Sequence, residues 1–249
     1  ARSGVAALRA LRARGERAGG VDAGTPDVDL DGVVLGTDGV AQLDGVRTVV
    51  KSPGVPHEAP VIVAARERGL VVMGELELAW RLLPNPFVAV TGTNGKTTTV
   101  ELLGAMHRAA GVPAVVAGNV GTPLSGLDVP PDNVVVAEAS SFQLEDTLAF
   151  APDAAVLLNL TPDHLDRHGT LEAYRDAKLQ AFARQAPDQL AVLPDGFAAP
   201  GAGRRVTFGG AETADLRLRD GALWWRGERL LGASEVRLRG PHNLRNAMA

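Results

Sequence analysis

The sequence holds 249 residues, of which 45% are hydrophobic and 22% charged, with a formal net charge of −4. This balance is typical of a folded globular protein and unlike that of a disordered chain. A slightly acidic chain lacks the basic character of nucleic-acid-binding proteins, and no apolar run reaches the ~20 residues that span a membrane. Cysteine is absent, which excludes disulfide bonds and thiolate metal sites. We therefore expect no nucleic-acid partner and no membrane insertion.

The first third of the chain alternates short Val- and Leu-rich runs with turns and one helical pattern, APVIVAARERG at 59–69. Strands that alternate with helices predict a parallel sheet with helical crossovers. Two prolines in LLPNPF, residues 82–87, interrupt the pattern. We therefore predict one domain over residues 1–84 and a second over residues 85–249.

The second part carries four continuous apolar runs, FVAVTG, PAVVAG, NVVVAEAS and AAVLLNLT, each ending in small or polar residues. Such runs are typical of buried parallel strands, and ligands of open α/β sheets bind beyond the carboxyl ends of the strands. Those ends carry residues 91–97, Asn119, Glu138 and His164. Residues 189–231 have a more hairpin-like pattern, which predicts an antiparallel flank. The final PHNLRNAMA predicts the start of a helix.

A glycine turn joins the first of these strands to a helix. It contains Gly92, Thr93, Asn94, Gly95, Lys96, Thr97 and Thr98. Backbone N–H groups and a helix N-terminus converge at such a turn, which predicts a phosphate site. In the pattern G-x-x-x-x-G-K-[ST], the lysine reaches the β- and γ-phosphates and the hydroxyl ligates Mg²⁺. Val90 stands where that pattern has its first glycine, and a connector with an incidental lysine is the alternative.

Glu138 ends a strand of Val and Ala, where an unpaired buried carboxylate is costly. A divalent cation removes that cost, and oxygen ligands suit Mg²⁺. His164 follows the next strand, close enough in a parallel sheet to share the ion. The alternative for this histidine is a structural hydrogen-bond donor.

Positive charge comes almost wholly from arginine. The lysines are Lys51, Lys96 and Lys178. Lys178 recurs at helical spacing with Tyr174 and Phe182, on the stripe that should face the core. Burial lowers the pKa of an amine, and a neutral amine reacts with CO₂ to give a carbamate that can ligate a metal. A surface lysine paired with Asp176 or Glu172 is the alternative.

These motifs together resemble the Mur ligase family, over essentially the whole chain. TGTNGKT resembles its ATP loop, GNVG its muramoyl-substrate loop and EASSFQL its magnesium-glutamate strand end. DHLDRH with YRDAK resembles the histidine ligand and the carbamylated lysine, and HNLRNA the asparagines against adenine. The string SSFQL and the turn SPGVP favour the D-glutamate-adding branch of the family.

The resemblance implies an α/β fold. A Rossmann-like domain over residues 1–84 binds the UDP-substrate, and a P-loop central domain over 85–249 has a mostly parallel sheet with an antiparallel flank. We expect the chain to lack the start of the first domain, the end of the second and the family's C-terminal D-glutamate-binding domain. Such a chain should bind nucleotide without forming the amide at a useful rate.

The resemblance also implies residue roles. The catalytic set is Lys96, Glu138, His164 and Lys178. ATP contacts are residues 92–98 with Asn243 and Asn246, and Mg²⁺ ligands are Thr97, Glu138, His164 and Lys178. The substrate contacts are Ser3, Asp22 and Gly54 for uridine diphosphate and Asn119 and Gln143 for the muramoyl-alanine part. After Asp22, the sequence AGTP lacks the polar and basic side chains of the family pattern.

The implied reaction uses ATP and Mg²⁺ to phosphorylate UDP-N-acetylmuramoyl-L-alanine, and the amine of D-glutamate then attacks the acyl phosphate. This is a step of peptidoglycan precursor synthesis, and we expect a cytoplasmic monomer. The alternatives are another amino acid ligase of this architecture, folylpolyglutamate synthase, a P-loop ATPase without ligase activity, and a non-catalytic nucleotide-binding module. The P-loop ATPase alternative leaves Asn119, His164 and Lys178 without a role.

Overall fold

The computed structural model describes residues 2–27, 30–238 and 240–249. The helices of this part are α1 (Arg2–Ala13), α2 (Pro60–Glu67), α3 (Glu75–Leu82), α4 (Lys96–Ala109), α5 (Ser141–Leu144), α6 (Leu165–His168), α7 (Leu171–Leu179) and α8 (Pro241–Met248). The strands are β1 (Gly20–Asp22), β2 (Val33–Leu35), β3 (Thr48–Lys51), β4 (Val71–Gly74), β5 (Phe87–Thr91), β6 (Ala114–Gly118), β7 (Val134–Glu138), β8 (Ala154–Leu157), β9 (Leu190–Pro194), β10 (Arg204–Gly209), β11 (Leu216–Arg219), β12 (Ala222–Trp225) and β13 (Glu228–Gly232). In this part of the chain no helix is both long enough and apolar enough to cross a bilayer.

Nine strands form one sheet in the order β13-β12-β11-β10-β9-β8-β5-β7-β6. The four apolar runs of the second part are the parallel strands β5, β6, β7 and β8, as predicted. Their registers align Glu138 with Val90 on one side and with Gly118 on the other. The carboxyl ends of β5, β6 and β7 therefore meet at one edge of the sheet.

The antiparallel flank is smaller than predicted. β9 pairs with β10, and β10 with β11, in parallel, because the chain crosses back along the sheet between these strands. Among the described residues, antiparallel hairpins are confined to β11, β12 and β13. Their turns, Asp220-Gly221 and Arg226-Gly227, have positive φ at both residues, which is the backbone that a tight two-residue hairpin requires.

The first part of the chain contains two short parallel sheets, β1–β2 and β3–β4, and α1 packs against β1 and β3. The parallel pairing agrees with the sequence prediction, although the four strands do not form one continuous sheet. Ala7, Met73 and Leu78 form a small core between α1, β4 and α3. This core is separate from that of the nine-stranded sheet.

Helix α3 belongs to both cores. Leu78 faces the small core, whereas Leu76 and Ala79 are fully buried in the core of the nine-stranded sheet. Glu77, also fully buried, accepts hydrogen bonds from three consecutive backbone N–H groups at 148–150. The division at 84/85 stays a prediction, and the contacts of α3 cross it extensively.

Candidate nucleotide and metal site

The glycine turn lies between β5 and α4, as the sequence predicts. Gly95 stands at the N-cap with φ of 89°, and no side chain caps the helix. The first N–H groups of a helix have no intrahelical acceptor, so the start of α4 presents donors to an anion. A Cβ on Gly95 would overlap the side chain of Asn246. Glycine is therefore required here both for its backbone conformation and for the close approach of α8.

Lys96 folds back over this turn. Its Nζ donates hydrogen bonds to the carbonyl oxygens of Gly92 and Thr93, both at 3.0 Å. Burial lowers the pKa of Lys96, and the negative charges of Glu138 and Asp163 oppose that shift. The ammonium group thus lies over the glycine turn and within electrostatic reach of Glu138.

Glu138 is 3% exposed at the end of β7. Its Oε2 accepts a hydrogen bond from the Thr97 hydroxyl at 2.8 Å, and its Oε1 accepts one from Nδ2 of Asn119 at 2.9 Å. Both hydrogen-bond donors are neutral groups. The contact with Thr97 brings a buried carboxylate and a hydroxyl oxygen together beside the predicted phosphate site. Such hard oxygen ligands fit Mg²⁺.

Two side chains fix the turn to the loop after β8: Asn159, to which the sequence alone assigns no role, and Thr93, which it assigns to the ATP contacts. Asn159 accepts from the backbone N–H of Asn94 through Oδ1 and donates to its carbonyl through Nδ2, both at 2.9 Å. The Thr93 hydroxyl contacts the backbone N–H and carbonyl of Thr161 in the same way, both at 3.0 Å. The position of Asn159 at a strand end was the available signal for this contact.

Lys178 is 2% exposed, which confirms that it faces the core. Its Nζ donates to the carbonyl oxygen of Gly92 at 2.8 Å and lies 4.5 Å from the centre of the Tyr174 ring. Asp176, the alternative partner, instead pairs with Arg175. Burial, with a smaller effect of the Lys96 charge, lowers the pKa of Lys178 from 10.5 to about 7, and the charge of Asp163 opposes the shift.

His164 lies in the left-handed region, with φ of 50°, at the start of α6. Its ring is 4.9 Å from Phe142 and 6.3 Å from Tyr174, between centroids, and its Nε2 is 3.6 Å from Oδ2 of Asp163. The side chain is 49% exposed, and it shares Tyr174 as a neighbour with Lys178. These contacts join His164 to the surroundings of Lys178, whereas its direct approach to Glu138 stays a prediction.

His168, which the sequence analysis did not select, contacts the same aromatic group. Its ring stacks on Phe142, and its Nε2 is 3.0 Å from Oγ of Ser141. Burial lowers the pKa of His168, opposed by the charge of Glu145. The final histidine of DHLDRH is therefore a packed side chain that supports α5 and α6.

The remaining predicted site residues lie in α8, in α5 and in the first part of the chain. Asn246 is buried beside Gly95, and its Nδ2 donates to Oδ1 of Asn243 at 3.1 Å, so the asparagines predicted for adenine lie next to the glycine turn. Oε1 of Gln143 accepts from the backbone N–H and the hydroxyl of Ser140 in a capping box of α5.

The residues predicted for uridine diphosphate lie in the first part of the chain. Oγ of Ser3 donates to Oγ of Ser52 at 3.2 Å, in the same turn as the exposed Gly54. Oδ1 of Asp22 accepts from the backbone N–H of Gly24 at 2.9 Å. The structure thus brings Ser3 to the turn of Gly54, and places Asp22 at the end of β1.

The fold and this site define an α/β protein with a P-loop type of strand, glycine turn and helix. Residues 90–249 match the model of the Mur ligase middle domain, so the chain belongs to the Mur ligase family. It is 42% identical over 278 aligned positions to the UDP-N-acetylmuramoylalanine--D-glutamate ligase of Pelotomaculum thermopropionicum, covering 100% of this chain and 60% of that protein. The chain covers about half of other relatives with that name.

Solved structures support the fold. The ligase MPL of Neisseria meningitides, described as UDP-N-acetylmuramate:L-alanyl-gamma-D-glutamyl-meso-diaminopimelate ligase, superposes with a TM-score of 0.62 at 20% identity, over 99% of this chain and 87% of that one. The MurF ligase of Thermotoga maritima, solved in complex with ADP, gives a TM-score of 0.52 at 20% identity, over 95% and 54% of the two chains. The predicted α/β architecture is therefore confirmed.

Proposed function

We propose that this protein joins D-glutamate to UDP-N-acetylmuramoyl-L-alanine at the cost of ATP. The observation that carries the proposal is the buried Glu138 carboxylate hydrogen-bonded to Thr97 at the start of α4. A phosphate turn with an adjacent hard-metal ligand suits phosphoryl transfer from ATP. The choice of D-glutamate is supported by the name of the 42% identical relative.

Residues 92–98 would hold the ATP phosphates, with Asn243 and Asn246 against adenine. Thr97 and Glu138 would hold one Mg²⁺, and His164 with carbamylated Lys178 would hold a second. Bound Mg²⁺ neutralises charge on the phosphates and on the substrate carboxylate. The ammonium of Lys96, which now bonds the carbonyls of its own turn, would exchange those partners for phosphate oxygens.

The case for carbamylation of Lys178 rests on its burial beside Tyr174. The neutral amine attacks CO₂, a bond forms between Nζ and carbon, and one proton leaves to solvent. The product is an anionic group with two oxygen ligands, in place of a cation that burial disfavours. NMR with isotope-labelled bicarbonate tests this step, because the carbamate carbon gives a signal that a Lys178→Met variant would lack.

Ser3, Asp22 and Gly54 would contact uridine diphosphate, and Asn119 and Gln143 the muramoyl-alanine part. The position of Asn119, 2.9 Å from Oε1 of Glu138, supports its proximity to the reacting carboxylate. Gln143 belongs to the segment that follows Glu138, although its Oε1 already serves the cap of α5. These two roles would orient one end of the substrate near the ATP γ-phosphate.

The reaction has two steps, phosphorylation of the substrate carboxylate and attack by the amine. A carboxylate oxygen of the L-alanine end attacks the γ-phosphorus, the bond to the bridging oxygen breaks, and ADP leaves. The D-glutamate amine then attacks the acyl carbon, phosphate leaves with its oxygen, and the amine loses a proton. In the first step the chain's own contribution is to position the phosphates and stabilise their charge, through the N–H groups of α4 and Lys96.

We infer a role in peptidoglycan precursor synthesis, in the cytoplasm and as a monomer. Cell shape and division depend on that pathway, and ATP is available in the cytoplasm. Since the chain spans 60% of its P. thermopropionicum relative, binding is tested in the 249-residue chain and amide formation in the protein encoded by the whole gene.

Phosphate release tests the reaction. With UDP-N-acetylmuramoyl-L-alanine present, D-glutamate should stimulate release, and L-glutamate, L-lysine and diaminopimelate should not. Stimulation by one of the other amino acids would instead identify another ligase of this architecture. ATP turnover that needs no acyl acceptor would favour a P-loop ATPase, and the absence of ATP binding would overturn the proposal.

A further inference from the structure

Lys51, the third lysine, lies at one end of the turn that contains Ser52 and Gly54. Its ammonium Nζ is 2.6 Å from Oδ2 of Asp146, and its side chain is fully buried. His57, at the other end of the turn, places Nε2 2.9 Å from Oδ1 of the same carboxylate. One aspartate therefore contacts both ends of the turn through its two oxygens.

The middle of the turn has an anchor of its own. Arg167 donates from one guanidinium nitrogen to the carbonyl oxygen of Val55 at 3.2 Å and to Oε1 of Glu145 at 2.8 Å. The Nε2 of His57 also lies 3.5 Å from that Glu145 oxygen. The turn is thus held at its start, middle and end by Glu145, Asp146 and Arg167.

These anchors belong to the segments that carry the candidate metal ligands. Glu145 and Asp146 follow α5, whose own start follows Glu138, and Arg167 lies in α6, which begins directly after His164. A displacement of the turn relative to the phosphate site would have to break these contacts. The distance between the turn and the reacting edge of the sheet is therefore set by them.

The cluster does not need a metal ion. Ligand atoms of His57, Glu145 and Asp146 lie within 4.8 Å of one another, a spacing that a cation could bridge. However, the charges of Lys51 and Arg167 already balance those of the two carboxylates, at 2.6 Å and 2.8 Å. A divalent cation would be repelled by both.

We propose that Asp146, with Lys51 and His57, is a clamp that positions the UDP-binding turn for the reaction at Glu138. This rests on the proposed function, in which Gly54 contacts uridine diphosphate. The Asp146 carboxylate contacts Lys51 and His57 rather than Glu138 or the glycine turn, so the role proposed for it is positioning. A purely structural ion pair would change the stability of the whole chain and leave the ratio of the affinities for the UDP-substrate and for ATP unchanged.

The test uses the 249-residue chain and titration calorimetry with two ligands, UDP-N-acetylmuramoyl-L-alanine and ATP with Mg²⁺. Asp146→Asn keeps the shape of the side chain but removes its charge, and Asp44→Asn makes the same change in an exposed ion pair with Arg68. Hydrogen bonds to a charged group are worth about twice those to a neutral one. Since the contacts of Asp146 hold the turn in its binding geometry, weakening them in Asp146→Asn should lower the affinity for the UDP-substrate on the order of tenfold. ATP binding should stay within about twofold of the parent, because the Asp146 carboxylate contacts Lys51 and His57 and sites without shared partners have independent effects.

The double substitution Lys51→Met with Asp146→Leu is the second variant. Replacing a buried ion pair with well-packed apolar side chains often leaves stability unchanged or raises it. This double variant should unfold at a temperature close to that of the parent and still bind the UDP-substrate weakly. Amide hydrogen exchange at 52–57 should accelerate in both variants, and exchange at 92–97 should not. These readouts separate a positioning role from a general loss of stability.

The outcomes are distinct. If Asp146→Asn binds the UDP-substrate with the same affinity as Asp44→Asn, the clamp is overturned. An equal loss of affinity for the UDP-substrate and for ATP would overturn it as well. Full recovery of substrate affinity by the apolar pair would assign the ion pair to stability alone and overturn it too. Failure of the parent chain to bind the UDP-substrate, with ATP bound normally, would instead count against the substrate of the proposed function.

Discussion

The hydroxyl of Thr97 donates a hydrogen bond to Oε2 of Glu138 at 2.8 Å, joining the start of α4 to the end of β7. The two residues are 41 positions apart in sequence and meet because β5 and β7 are neighbours in register. The contact places a carboxylate beside the glycine turn.

Glu138→Gln is expected to keep the shape of the site and lose the metal. A neutral amide replaces the buried charge, so the dependence of ATP affinity on Mg²⁺ should fall by at least about tenfold. The melting temperature should stay close to that of the parent, because the Thr97 hydroxyl that donates to Glu138 can instead accept a hydrogen bond from the new amide. Calorimetric ATP titrations with and without Mg²⁺ measure the effect, with Glu172→Gln on the exposed face of α7 as the control. Magnesium-dependent binding equal to that of the control would contradict a ligand role for Glu138.

Gly95→Ala is expected to destabilise the chain more than Gly111→Ala does. Both glycines have positive φ, 89° and 71°, so both substitutions carry the backbone cost of about 1 to 2 kcal/mol. A Cβ at Gly111 meets nothing within 4 Å, whereas one at Gly95 overlaps Asn246. Urea unfolding gives the two free energies. Adding Asn246→Ala should recover part of the difference for Gly95→Ala, and equal costs at the two glycines would show that α8 does not press on the turn.

Local pattern was sufficient for much of the site. The turn from Gly92 to Thr97 and the burial of Lys178 follow from residues within one strand, one turn or one helix, where spacing alone fixes which side chain faces inward. The four apolar runs likewise predicted the parallel strands. Their carboxyl ends meet at one edge because parallel strands must align that way.

Contacts between distant segments could not be predicted in this way. Nothing near Asn159 indicates that its amide pairs with the backbone of Asn94, and nothing near Lys51 indicates that Asp146 is its partner. The same limit explains the flank, since the sequence of β9 and β10 does not reveal that the chain crosses back between them. Each of these contacts depends on which strand lies next to which.

Glu77→Gln is expected to lower the free energy of unfolding by about 2 to 4 kcal/mol. Glu77 is fully buried in α3 and accepts from the N–H groups of Leu148, Ala149 and Phe150. An amide offers one acceptor oxygen and turns its NH₂ toward donors, which leaves a buried N–H unpaired. Glu67→Gln, exposed on α2, is the matched control for urea unfolding. A change no larger than that of the control would mean that α3 is not held by this carboxylate.

Lys178→Met is expected to alter how stability depends on pH. The folded-state pKa of Lys178, about 7, lies below its ordinary value of 10.5, because burial disfavours the ammonium. Between those two values the unfolded chain binds more protons at this site than the folded chain does, so the free energy of unfolding should rise with pH. The charged lysine therefore penalises folding fully below about pH 7, and the penalty disappears near pH 10.5.

Lys178→Met removes this penalty, so its stabilisation relative to the parent should be largest near pH 6 to 7 and shrink as pH rises toward 10. Denaturant titrations in CO₂-free buffer measure the difference, since carbamate formation would otherwise remove the amine from the equilibrium. Arg175→Met, exposed on the same helix, changes one cation that stays charged throughout and should give a difference independent of pH. A pH-independent difference for Lys178→Met would mean that the amine keeps an ordinary pKa in the folded chain, and the argument for its carbamylation would lose its physical basis.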